Sequence, residues 1–286
     1  MRYILLIIIF LFSSSAQEKN IDNSSLVTQE KFNSIISKAK AGNWSSLKGA
    51  ELSGKIASEF IGTPYIGNTL EPDGPEKCRV NFEGLDCVTF FENTLCLSRI
   101  IKKGKTNFDD LIREVTFTRY RNGKIVDYTS RLHYTSDWIY DNVKKGTVLD
   151  ITKGIGGEVF RFKANFMSKN PSLYSALKEH PEFIPKIKSY EKDINSRILY
   201  YIPKANIKKI ERFLKTGDII AVATNKKGLD YSHTGLIYWS DNRPCFIHAS
   251  SKERKVLLDV PISEYLQRST SNIGISILRP IFNENK

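Results

Sequence analysis

The last third of the chain is a succession of short strand-like runs, and nothing else in the sequence limits the fold as much. Residues 198–202, 219–223, 234–238 and 244–249 are apolar or alternating runs separated by turns rich in Gly, Asn and Asp, and 256–260 and 273–279 supply two more. Helical periodicity belongs to the front of the chain. Residues 28–40 and 45–60 read as helices, the second with Leu47, Ala50, Leu52, Ile56, Ala57 and Phe60 on one face before the Gly62-Thr63-Pro64-Tyr65 stop. Residues 66–85 are rich in Gly and Pro and form a long irregular loop, a length that usually signals function. Residues 86–103 follow as a helix with Asp86 as N-cap and Val88, Phe91, Leu95, Ile100 and Ile101 as its apolar face. A helix over 107–114 leads into 115–120, which alternates like a strand. Residues 121–190 are mixed, and 206–214 form a short helix ahead of a Thr216-Gly217-Asp218 turn. Helices first and strands after imply an α+β fold with an antiparallel sheet.

The 286 residues are long enough to bury a core, and 41% hydrophobic with 26% charged excludes a disordered, collagenous or coiled-coil chain. The amino terminus stands apart. Arg2, the apolar run 4–12 and the small residues Ser13-Ser14-Ser15-Ala16 read as a secretory signal cleaved after Ala16. The run is about half of the ~20 residues that span a membrane; a retained anchor is the competing reading. No Cys follows the run, so a lipid anchor is not expected. Residues 1–16 are therefore the signal, 17–44 an N-terminal lead (irregular over 17–24) and helix, and 45–286 the functional domain. The protein is expected outside the cytoplasm, in the periplasm. The net charge of +12 then suits anionic wall polymers rather than nucleic acid, although a basic surface also serves solubility.

Four cysteines, Cys78, Cys87, Cys96 and Cys245, are sparse for a disulfide scaffold. Cys87 and Cys96 on one helix stand roughly 13 Å apart, too far to bridge. A Cys78–Cys245 bridge has no support, so at least one thiol is expected to be free. No spacing matches a zinc set. Cys87 follows the N-cap, where unpaired N–H groups and the helix dipole favour a thiolate and can receive an oxyanion. A structural buried thiol is the alternative. A thiol nucleophile needs a base. His180 sits in a solvated loop and His133 in an aromatic stretch. His233 and His248 fall on neighbouring strand runs that can set them side by side, or serve only as satisfied strand residues.

Leu85-Asp86-Cys87-Val88, Ser232-His233-Thr234-Gly235-Leu236-Ile237-Tyr238 and Ile247-His248-Ala249 resemble the three signature segments of the NlpC/P60 cysteine peptidases. Gly217-Asp218-Ile219-Ile220 and Pro64-Tyr65-Ile66-Gly67 resemble two flanking elements of that family. Leu85-Asp86-Cys87-Val88-Thr89-Phe90, with Ser130-Arg131-Leu132-His133-Tyr134, Trp138 and Gly156-Gly157, is closer to its DUF1460 branch, the N-acetylmuramoyl-L-alanine amidase-like proteins. Val88 and Thr89 depart from the general family, which cleaves γ-D-glutamyl–diamino acid bonds, and this favours an amidase.

The resemblance implies a papain-like α+β domain with the nucleophile helix packed on an antiparallel sheet and an insertion over 105–210 shaping the cleft. It implies Cys87 as nucleophile, His233 as base and His248 as its orienting group, with Tyr65 and the Cys87 N–H holding the oxyanion. Asp86, Arg131, His133, Tyr134 and Trp138 are the implied substrate contacts, the Arg fork suiting a peptide carboxylate and the Trp a sugar face. The expected substrate is a muropeptide, cut through a thioester without metal or organic cofactor and without membrane insertion. An endopeptidase cutting within the stem peptide and an inactive wall-binding module are the alternatives.

Overall fold

The computed structural model describes residues 25–71 and 74–282. The expected signal at 1–16 and the irregular stretch 17–24 lie outside the described residues. The apolar runs of the last third assemble as expected into strands: β3 (Tyr200–Pro203), β4 (Ile219–Thr224), β5 (Tyr231–Ser240), β6 (Arg243–Ser250), β7 (Lys255–Pro261) and β8 (Asn272–Pro280). Two short strands from the mixed region, β1 (Val148–Asp150) and β2 (Glu158–Val159), complete the sheet. Its order is β2-β3-β8-β4-β5-β6-β7, with β1 also pairing along β8, and the pairs are antiparallel.

Period-two alternation gives this sheet two apolar faces. Ile219, Ala221, Leu236, Ile247 and Leu278 face the larger core, shared with the long helices. Ile220, Val222, Ile237, Phe246 and Ile277 face a smaller core closed by Ile207, Ile210, Ile262 and Leu266 from short helical segments. Gly217 makes the turn into β4: its φ is +86°, and a Cβ there would lie 2.7 Å from the Ala50 carbonyl oxygen.

Among the described residues, five α-helices precede the first strand: α1 (Leu26–Ala41), α2 (Gly49–Glu59), α3 (Cys87–Lys102), α4 (Phe108–Arg119) and α5 (Thr135–Lys144). From Thr89 to Ile101 every residue of α3 is buried, so α3 is the central helix rather than an amphipathic surface one. Its buried hydroxyls stay satisfied within the helix: Thr94 donates to the Phe90 carbonyl and Ser98 to the Thr94 carbonyl.

One expectation is corrected. Residues 115–119 are not a strand but the second half of α4. Alternation misread them because Val115, Thr118 and Arg119 continue the buried helical stripe of Leu111 and Ile112 against α3. Arg119 anchors that packing. Its Nε donates to Glu92 at 2.8 Å, with both side chains buried, and Nη1 donates to the Arg79 carbonyl. Trp138 Nε1 donates to the other Glu92 oxygen at 2.9 Å. Removing one partner strands a buried charge, so Arg119→Ala is expected to lower unfolding free energy by about 3–5 kcal/mol. Replacing Glu92 and Arg119 together should cost less than the sum of the single changes, and denaturant unfolding of the three variants checks both statements.

Candidate active site

The site begins with the N-terminus of α3. Asp86 caps it: Oδ1 accepts the Thr89 N–H at 2.7 Å, and Thr89 Oγ1 accepts the Asp86 N–H at 2.9 Å. Thr89 thus fills the reciprocal position of a capping box. This fixes Cys87 as the first residue of the helix, half-buried. All four cysteines are free thiols.

The loop before α3 leaves and returns at one point. Leu85 N–H donates to the Pro64 carbonyl at 3.0 Å and Ile66 N–H to the Leu85 carbonyl at 3.2 Å, a parallel bridge that sets Tyr65 beside the nucleophile segment. Burial, then the Cys87 and Asp86 charges, raise the Tyr65 hydroxyl, which therefore stays protonated as a donor.

The imidazoles come from β5 and β6. Leu236 lies opposite Ile247. His233 is three residues from Leu236 and His248 one from Ile247, so alternation puts both rings on the other face, with Phe246. There His233 Nε2 and His248 Nδ1 are 2.8 Å apart. The His248 ring stacks on Phe246 at 4.7 Å, and Tyr265 lies nearly parallel to His233 at 6.1 Å. Gly235 admits the Phe246 ring, since a Cβ there would come within 2.7 Å of it. The β4–β5 register shifts between Val222 and Ala223, opposite His233 and Tyr231, an irregularity of the kind that re-aims a side chain.

Helix and strand are tied together next to the histidine. Thr234 Oγ1 donates to the Cys87 carbonyl at 2.9 Å. Cys87, Asp86 and His233 line one cavity of about 300 Å³. Burial, then the Asp86 carboxylate, push the Cys87 thiol up to about 11, and burial, then His248, push His233 down to about 3. Both shifts favour a thiol beside a neutral imidazole at neutral pH. Such a pair delivers its nucleophile by passing the proton as the bond forms.

The remaining expected contacts divide. His133, Tyr134 and Arg131 line the same cavity. His133 Nε2 lies 2.8 Å from the Tyr128 carbonyl, and the Tyr134 hydroxyl donates to Glu191 while accepting the Met167 N–H. Arg131 does not offer its fork to a ligand: Nη1 holds Glu71 at 2.8 Å and Nη2 holds Glu76 at 2.9 Å, so it clamps the 66–85 loop that walls the cavity. Trp138 is not in the cavity. It is buried with its ring edge-on to Phe91 and its N–H on Glu92. Its indole is a core group, because α5 turns it inward toward α3.

Sequence reasoning missed Thr234, Tyr265 and Asp259. Asp259 Oδ2 lies 3.4 Å from His248 Nε2 and is held by Arg268. Its signal was a lone charge within the apolar run of β7. Tyr265 had none. Among the described residues, no group of three or more His, Cys, Asp or Glu could hold a metal ion, and no helix is long and apolar enough to cross a membrane.

Fold and cavity define an α+β protein in which a thiol at a helix N-terminus shares a cavity with one imidazole of a hydrogen-bonded pair carried by an antiparallel sheet. The chain belongs to the AmiA-like family, described as N-acetylmuramoyl-L-alanine amidase-like, whose model matches residues 55–275. It is similar to an N-acetylmuramoyl-L-alanine amidase from Bacteroides uniformis, with 35% identity and a TM-score of 0.78 over 82% of this chain and 99% of that one. It is also similar to a candidate xylanase from Bacteroides fragilis, with 36% identity and a TM-score of 0.75 over 79% and 99% of the two chains. A Legionella pneumophila protein of the DUF1460 family shares 24% identity with a TM-score of 0.65 over 89% and 96%, a likeness of fold. No curated protein matches the chain.

Proposed function

We propose that this chain is a cysteine amidase of the NlpC/P60 type, with a papain-like arrangement, that cleaves the N-acetylmuramoyl-L-alanine bond of peptidoglycan fragments outside the cytoplasm. One observation carries the reading: His233, in 2.8 Å contact with His248, lines the same cavity as Cys87. In the proposed reaction the Cys87 proton passes to Nδ1 of His233 as the sulfur attacks the lactyl carbonyl carbon. The carbonyl electron pair moves to oxygen, which the Cys87 N–H and the Tyr65 hydroxyl receive. Collapse expels the L-Ala amine with the proton from His233 and leaves a thioester. Water, giving its proton to His233, then releases the muramoyl carboxylate and restores the thiol.

The cavity's carboxylates argue against a glycosidase, which needs a pair of them free to act as acid and base. Asp86 caps α3, Glu92 holds Arg119 and Trp138, Glu71 holds Arg131, and Asp230 accepts the Ser136 and Tyr231 N–H groups. Mass spectrometry of digested muropeptides tests the proposal. Intact stem peptide plus free sugar is the expected product pattern; a shortened stem would mean an endopeptidase, and cleaved glycan a glycosidase.

A further inference from the structure

We propose that Asp259 is a positioning residue that sets the proton register of both imidazoles, and so keeps Nδ1 of His233 bare to take the proton of Cys87. The kinetic consequence rests on the amidase reading; the register itself rests on the hydrogen-bond chain.

Asp259 Oδ1 accepts the Val260 N–H at 2.7 Å and Arg268 Nη2 at 2.9 Å. Oδ2 accepts Arg268 Nη1 at 2.5 Å and faces His248 Nε2 at 3.4 Å. Burial raises this carboxyl, but Arg268, the Val260 N–H and His248 outweigh it and hold the group below its ordinary range. An ionised carboxylate only accepts, so the hydrogen of neutral His248 sits on Nε2. His248 Nδ1 is then a lone pair, and the hydrogen in its 2.8 Å contact comes from His233 Nε2. His233, neutral as well, is left with Nδ1 unprotonated. The opposite register puts hydrogens on His248 Nδ1 and His233 Nδ1, and the second has no lone pair for the thiol proton. Phe246 and Tyr265 hold the two ring planes, so a rotated ring does not restore the base.

Asp259→Asn tests this without removing the group. The Val260 N–H, a backbone donor that cannot turn away, claims the amide oxygen, so the NH2 takes the Oδ2 position, where it faces His248 and Arg268 Nη1 loses its acceptor. His248 Nε2 must then accept, and both rings switch tautomer. The expected result is a kcat lower by about 10²–10⁴-fold with KM within about two-fold, the scale of losing a general base in its working form. Asp259→Glu, which keeps an acceptor, should recover at least about ten-fold over Asn. Nitrogen-15 NMR of the histidines in the full-length protein reads the register directly: hydrogen on Nε2 of both His233 and His248 in the wild type, and on Nδ1 of both in Asp259→Asn. A wild-type His233 protonated at Nδ1, unchanged tautomers in the Asn variant, or full kcat in that variant overturns the proposal. Wild-type protein that releases no peptide from muropeptides would instead overturn the amidase reading, with the tautomers still reporting on Asp259.

Discussion

Cys87→Ala is expected to lower release of stem peptide from muropeptides by about 10⁵–10⁶-fold, the scale seen when a nucleophile is deleted from a set of groups that act as a unit. The fold should survive. Cys87 is half-buried at the first position of α3, and the cap that fixes this helix end is made by Asp86 and Thr89, which the change leaves intact. Circular dichroism and denaturant unfolding should therefore resemble the wild type while turnover vanishes. With the thiol pushed up to about 11 by burial and then Asp86, alkylation of Cys87 by iodoacetamide should be slow at neutral pH and rise toward that value. Cys87→Ala protein that retains a tenth of the wild-type rate would remove sulfur from the mechanism.

The second large effect is expected at His233. His233→Gln keeps a polar side chain next to His248 but supplies no base, and kcat should fall by about 10²–10⁴-fold. A stability measurement goes with it. In the folded chain burial, then His248, push His233 down to about 3, whereas unfolded it titrates near 6.5. Between those values the unfolded state binds a proton that the folded state refuses, so unfolding free energy falls as pH drops from 6.5 toward 3. His133, pushed down to about 3 by burial and then Arg131, adds the same dependence. His248, pushed down by burial, acts in the same direction, and His233→Gln removes one of these three contributions. Its stability should fall with a slope shallower than the wild type's over that window, and equal slopes would mean that His233 is not buried neutral.

Much of this arrangement could be read from the chain. The runs at 219–223, 234–238 and 244–249 lie within β4, β5 and β6, because alternating apolar residues bounded by turn formers state their own geometry. The Asp86 cap was equally legible, since a cap depends on side chains three residues apart. Residues 115–119 were not: Val, Thr and Phe favour a strand by local preference, and only the α3 surface that receives Val115 and Arg119 decides for a helix.

The same division runs through the site. Sequence order determined which residues have the chemistry: a thiol behind a helix cap and two histidines on neighbouring strands. It could not determine whom the long polar side chains meet. The Arg131 fork, apt for a ligand carboxylate, is filled by Glu71 and Glu76, 60 and 55 residues earlier in the chain. Trp138, apt for a sugar, is turned onto Phe91 and Glu92. Asp259, an unremarked acid, faces His248. Periodicity and capping are short-range properties that a sequence carries in itself. The partner of a charge or an indole is a long-range contact, and only the packed fold chooses it.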